Sequence, residues 1–179
     1  NALGLFLLDK MQHVDSYTVI NHRKPHCTSN QYYKGVLDDA STGAFNGKIH
    51  VHPDAQKTEA FQTNNNILLT DTARMHSKPR LEIYADDVKC SHGATVGQLD
   101  ENALFYMQSR GIPRDESRLM LMDAFANEVI VPCQTHPYAY AALEEEDSPS
   151  LWGEALTYYA KGQLYSQMAK TALLSAQGD

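Results

Sequence analysis

Little in this chain supports a covalent scaffold. Its three cysteines, Cys27, Cys90 and Cys133, are odd in number and far apart, with no Cys-x-x-Cys pair. Neither a disulfide framework nor a zinc ribbon follows from them, and such usage suits a reduced, cytosolic protein. Long apolar runs are missing as well. The longest, residues 2–8, falls far short of the ~20 residues that span a bilayer, and no basic stretch precedes it as in a secretory signal. Positive charge is scarce: 15 Lys and Arg stand against 22 Asp and Glu, for a formal charge of −7. Such a chain lacks the basic footprint that a phosphate backbone requires, so neither nucleic acid nor membrane is expected as a partner. There is no Gly-x-Ser-x-Gly elbow and no Gly-x-Gly-x-x-Gly fingerprint. Gly43-Ala-Phe-Asn-Gly47-Lys48-Ile49 resembles a phosphate loop only superficially. It has three residues between its glycines and Ile49 where a magnesium-holding hydroxyl belongs. Any dependence on ATP would therefore be served by a partner.

What remains is a chain of 179 residues, 42% hydrophobic and 21% charged, enough for one core and a small appendage. It begins at Asn1, without a methionine, in a strand-like run, which points to residues preceding it. Up to residue 99, short β-like runs at 3–9, 17–22, 35–39, 48–51, 61–70, 81–89 and 94–99 alternate with turn residues. Every second run is centred near 6, 36, 67 and 97. That period of about thirty residues is compatible with a solenoid of two strands per coil. An antiparallel sandwich fits regular short strands too, and spacing by itself favours it.

At Asp100 the pattern changes. Residues 100–110 predict a helix, acidic at its start and followed by Gly111 in the C-cap region. Pro113, Asp115 and Glu116 open a second helix, whose apolar stripe is Leu121, Met122, Phe125 and Val129. The domain reading is thus a β-region over 1–99, a helical hairpin over 100–130 and an unassigned tail over 131–179. Within the tail, 131–140 holds two prolines and reads as an irregular connection, 144–147 is a run of four acids, and a helix is expected from about 149.

Of the eight histidines, His50 and His52 lie two apart in a strand-like run and so share a face. Such a pair can chelate a metal, but ordinary surface histidines are the preferred reading. Cys27 reads as an inert thiol. Cys90-Ser91-His92-Gly93 differs, because it places a thiol and an imidazole on one face of extended backbone, and both are iron ligands. The alternative is a half-buried strand end with His92 bonded to a carbonyl.

Several strings are similar to a known family. Tyr33-Lys-Gly-Val-Leu-Asp-Asp39, Gln56-Lys-Thr58, Gln62-Thr-Asn-Asn-Asn66, the stretch 81–95 and Leu104-Phe-Tyr-Met-Gln-Ser-Arg-Gly-Ile112 resemble the SufB/SufD family of iron–sulfur cluster assembly proteins. The similarity runs from about residue 3 to residue 130. SufB members carry a glutamate-containing sequence after the histidine that His92 matches, so the resemblance is to the other branch. It implies a mainly β fold with C-terminal helices: a right-handed parallel β-helix followed by a small helical domain. It further implies a non-catalytic scaffold that pairs with a SufB-like subunit and engages a SufC-like ATPase. A transient iron–sulfur cluster would form at the partner interface, with His92 opposite a partner cysteine and Cys90 a lesser ligand candidate. Strand pairing to SufB is expected near 81–95, with Val88 as the probe position. A reduced flavin accompanies some such complexes, with no site legible here, and a homodimer is possible in isolation. The alternatives from the residues alone are a β-helical carbohydrate- or acyl-processing enzyme and a plain dimerisation module.

Overall fold

The computed structural model describes residues 1–134. Seven strands come first: β1 (Ala2–Leu8), β2 (His13–His22), β3 (Thr28–Leu37), β4 (Thr42–Val51), β5 (Glu59–Leu68), β6 (Arg74–Ile83) and β7 (Lys89–Gly97). Two helices follow, α1 (Glu101–Ser109) and α2 (Arg114–Gln134). Odd strands form one sheet in the order β1-β3-β5-β7, and even strands form a second in the order β2-β4-β6. Every pairing is parallel. The fold is a parallel β-solenoid of about three turns with two C-terminal helices. The thirty-residue period was therefore the informative signal, and the sandwich favoured by spacing alone is corrected. In a sandwich consecutive strands pair, whereas here each strand pairs with the next but one.

The corners of the coils recur in step. Lys10 and Asp39 both adopt positive φ, at 53° and 50°, and the Lys10 N–H donates to Asp39 Oδ2 at 3.0 Å. His26 and Lys57 adopt positive φ at the other corner, 58° and 61°, where the His26 N–H donates to the Gln56 carbonyl at 2.9 Å. Corners that repeat at one coil's interval hold successive strands in register.

Side chains alternate in and out along each strand, and the interior divides into three zones. Ile49, Val51, Ala55, Ala60 and Ala85 form an apolar cluster at one end of the flattened coil. Phe6, Leu8, Leu37 and Ala73 form another at the opposite end. Between them lie buried amides, Gln31, Gln62, Asn64 and Asn66. Asn66 Nδ2 donates to Asn64 Oδ1 at 2.8 Å, and the Ser77 hydroxyl donates to the same oxygen at 2.7 Å.

Asp100 caps α1 by accepting from the Asn102 N–H at 2.9 Å, and Gly111 takes φ 87° just past its end. Both features accord with the sequence. α2 is anchored on β1 and β3 by Ala126, Val129 and Ile130, which are buried, while Leu121, Met122 and Phe125 are half-buried. α2 also continues to Gln134 with Pro132 inside it, so the irregular connection expected from residue 131 is corrected over 131–134. The acidic run 144–147 and the helix expected from about 149 lie outside the described residues.

Candidate functional site

Cys90 and His92 lie on β7, the last strand of the odd sheet, paired to β5 alone among the described residues. In register, Cys90 stands over Ala60 and His92 over Gln62. Ala60 and Gln62 face the interior, so Cys90 and His92 belong to interior columns that the next coil would cover. No described coil follows. His92 is consequently exposed at the open end, whereas Cys90 is half-buried against the apolar cluster. That difference in surroundings separates their chemistry. Burial pushes the Cys90 thiol above its usual value, only partly countered by a hydrogen bond involving the Ala60 backbone. Cys90 is thus a protonated thiol near neutral pH, a poor ligand until something displaces its proton. His92 tops the polar middle of the coil and needs only a neutral ring to bind a metal.

His50 and His52 sit elsewhere, on the outer side of the even sheet and its rim. Their rings meet at 4.4 Å between centroids, and His50 Nδ1 lies 3.0 Å from Glu82 Oε2. Lys48 Nζ reaches the same carboxylate oxygen at 2.6 Å. Hydrogen bonds from Lys48 first, and from His50 second, hold the Glu82 carboxyl below its ordinary range. The pair is therefore engaged in a surface polar network. Among the described residues no three His, Cys, Asp or Glu side chains converge as a metal site. Cys27 is half-buried and free, and the side chain of Cys133 lies outside the described residues.

A groove of about 220 Å³ opens between the last coil and the hairpin, lined by Leu68, Gln98, Leu104, Arg114 and Arg118 among others. Its one carboxylate, Glu101, is tied to Arg114 at 2.9 Å. The volume lies below the ~300–1,000 Å³ typical of ligand pockets.

Sequence reading missed two features. Gln62, beneath His92, stands out in the sequence only as part of a family-like string, although Gln31 and Gln62 recur one coil apart. Nothing in the sequence marks Lys34 as a buried residue, yet it is 1% exposed. Its ammonium donates to the Phe125 carbonyl at 2.8 Å, pairs with Glu128 Oε2 at 2.8 Å and lies 3.9 Å from the Phe125 ring centroid. It fastens α2 to the odd sheet.

Residues 1–125 match the family described as SUF system FeS cluster assembly, SufBD core domain. The chain belongs to the SufB/SufD family. It is 47% identical over 115 residues to the iron–sulfur cluster assembly protein SufD of Escherichia coli strain K12, covering 64% of this chain and 27% of that protein. Against the SufBD family protein slr0076 of Synechocystis it is 42% identical over 128 residues, 72% of this chain and 28% of that one. Against the chloroplastic protein ABCI7 of Arabidopsis thaliana it is 41% identical over 120 residues, 66% of this chain and 25% of that one. The SufBD relationship is of the SufD type, and the chain spans between about a tenth and two fifths of the length of the curated relatives it matches. Within the SufBD core, the aligned stretch includes both β7 and the hairpin's first helix. Among the described residues no helix is long and apolar enough to cross a membrane.

Proposed function

We propose that this chain is part of a non-catalytic scaffold that builds iron–sulfur clusters with a SufB-like subunit, powered by a SufC-like ATPase. The observation that carries the reading is the open end of the solenoid. An exposed imidazole and a half-buried thiol end two interior columns there, and no complete ligand set accompanies them among the described residues. A cluster at this end would need thiolates from a second protein. Within that reading His92 is a transient cluster ligand and Cys90 a weaker one. The cluster is cargo, and a scaffold must hold it yet let it go. A neutral imidazole donates no charge and can be displaced by protonation, so it holds iron less firmly than a fourth thiolate would.

The rival reading, a sugar- or acyl-processing enzyme, needs carboxylates or a His–Asp pair converging in a cleft. Glu101 in the groove beside the hairpin is neutralised by Arg114, so no observation favours that reading. The test is cluster yield from the co-expressed complex carrying His92→Ala, Cys90→Ala or His50→Ala. We expect the cluster chromophore to be lost with His92→Ala, partly reduced with Cys90→Ala and unchanged with His50→Ala. A normal yield from His92→Ala would sink the assignment.

A further inference from the structure

Two of the buried amides in the middle of the coil, Gln31 and Gln62, point the same way. Gln31 on β3, Gln62 on β5 and His92 on β7 share one register column. Gln31 and Gln62 are 0% and 1% exposed. The Gln62 Nε2 amide donates to Gln31 Oε1, and Gln31 Nε2 donates in turn to the Thr18 hydroxyl on β2. Each amide thus spends an N–H on the strands before it and turns its carbonyl away from that bond. For Gln31 that carbonyl is taken up by Gln62. Gln62 Oε1, by contrast, is buried without a hydrogen-bond partner. An orphan acceptor is unusual in a folded interior, where nearly all buried polar atoms are paired.

The amide is held in place by its surroundings. Gly47, facing it from β4, has no side chain, and a Cβ there would stand 2.9 Å from Gln62 Cδ and 2.7 Å from the Phe45 ring. The next residue in the column is His92, one strand spacing of about 4.8 Å further on. It carries the only side chain of the column's described members that is not yet paired.

We infer that Gln62 positions His92: when the exposed ring turns inward over the coil, the buried Oε1, unpartnered as the ring now lies, accepts the N–H of one imidazole nitrogen, which fixes the tautomer and leaves the other nitrogen bare toward the open end of the solenoid. The importance of this bond rests on the reading of His92 as a cluster ligand, but the bond itself does not. Ligating imidazoles are oriented in this way, through a partner on the second ring nitrogen. The direction of the row matters. Were the amides reversed, Gln62 would present an N–H to His92, the inner nitrogen would accept, and the outer one would carry the proton and be unable to bind metal. Cys90 has no such support, since the residue beneath it is Ala60.

The experiment is nitrogen-15 NMR of the imidazole rings in the full 179-residue chain, at a pH near 8, with the His92 signals identified by their loss in His92→Asn. One dominant His92 tautomer is expected in the wild type. In Gln62→Leu it should relax to the mixture of a free imidazole, and in Gln62→Glu, which keeps an acceptor oxygen, it should persist. Gly47→Ala displaces the amide without removing it and should also give the mixture, which covers the case that Gln62→Leu does not fold. In the co-expressed complex, Gln62→Leu should lower cluster yield several-fold, less than His92→Ala. The same tautomer population in wild type, Gln62→Leu and Gly47→Ala overturns the inference. A tautomer change on Gln62→Leu, together with normal cluster yield from His92→Ala, upholds the bond and removes the ligand role instead.

Discussion

Gly35 leaves no space for even a methyl group. It lies on β3 beneath the register partners Asn66 and Val96. A Cβ there would stand 2.6 Å from Asn66 Oδ1 and would run into the Phe6 ring. Interiors packed this closely answer overpacking with strain. Gly35→Ala should therefore cost about 2–3 kcal/mol, read as a drop in denaturant midpoint, and an unchanged midpoint would show that the coil can shift to make room. At this scale the sequence misleads in a consistent way. Gln31, Gln62, Asn64 and Asn66 look like solvent-facing strand residues, and Lys34 looks like surface charge. Each is buried because a stacked coil offers amide partners above and below, and because a helix lies over Lys34.

The second helix is attached by a polar clasp. Tyr32 OH donates to Glu128 Oε2 at 2.6 Å beside the Lys34 ion pair. Burial, reinforced by Glu128, pushes the Tyr32 phenol up to about 12, so it remains a donor across the physiological range. Hydrogen bonds from Lys34, then Tyr32, hold the Glu128 carboxyl below its ordinary value of 4.5. A carboxyl depressed in the folded state adds stability that is fully present above the unfolded value and is lost as pH falls through the folded one. The stability gap between wild type and Glu128→Gln should thus be constant above about pH 4.5 and close at lower pH. A gap that persists undiminished into strong acid would show that the charge plays no part. Because the Glu128 side chain is 60% exposed, that gap should be small, about 1 kcal/mol or less. Lys34→Ala should cost more, about 2–3 kcal/mol, since it also leaves the Phe125 carbonyl without its charged donor; equilibrium unfolding of the two variants side by side tests the ranking. The hairpin's limits were readable at Asp100 and Gly111, where capping chemistry is local. The end of α2 was not, because Pro132 suggested a stop that the helix passes through.

At the scale of the whole molecule, the solenoid has two unpaired ends among the described residues, β1 with β2 at one and β6 with β7 at the other. Edge strands attract partners. Val88, the probe position suggested by the sequence, packs against the apolar cluster of Ile49 and Val51, so a charge there would damage the core as well as any interface. Val96 is the better probe: it is 47% exposed at the open end, over Asn66. If a SufB-like partner covers this end, Val96→Asp should reduce its co-purification while leaving the thermal transition of this chain within a few degrees. Undiminished co-purification would place the interface elsewhere.

The amino-acid sequence by itself determined what is local or periodic. It set the number of strand-forming runs and their repeat of about thirty residues, the capped hairpin after residue 100, and a likeness to the SufB/SufD family carried by short strings, but it misplaced strand limits: the run read at 81–89 falls largely on the loop between β6 and β7, and those at 35–39 and 48–51 catch only the ends of β3 and β4. Strand-forming residues read the same whether their partner is the neighbouring strand or the next but one, so only the tertiary structure decided that the strands pair in parallel, coil upon coil. The same holds for the candidate site. The spacing of Cys90 and His92 put them on one face, but stacking decided that the thiol rests on apolar Ala60 while the imidazole stands in register over an amide whose carbonyl is buried without a partner. Which atoms lie beneath a side chain depends on residues thirty positions away, and that information exists only once the coil has closed.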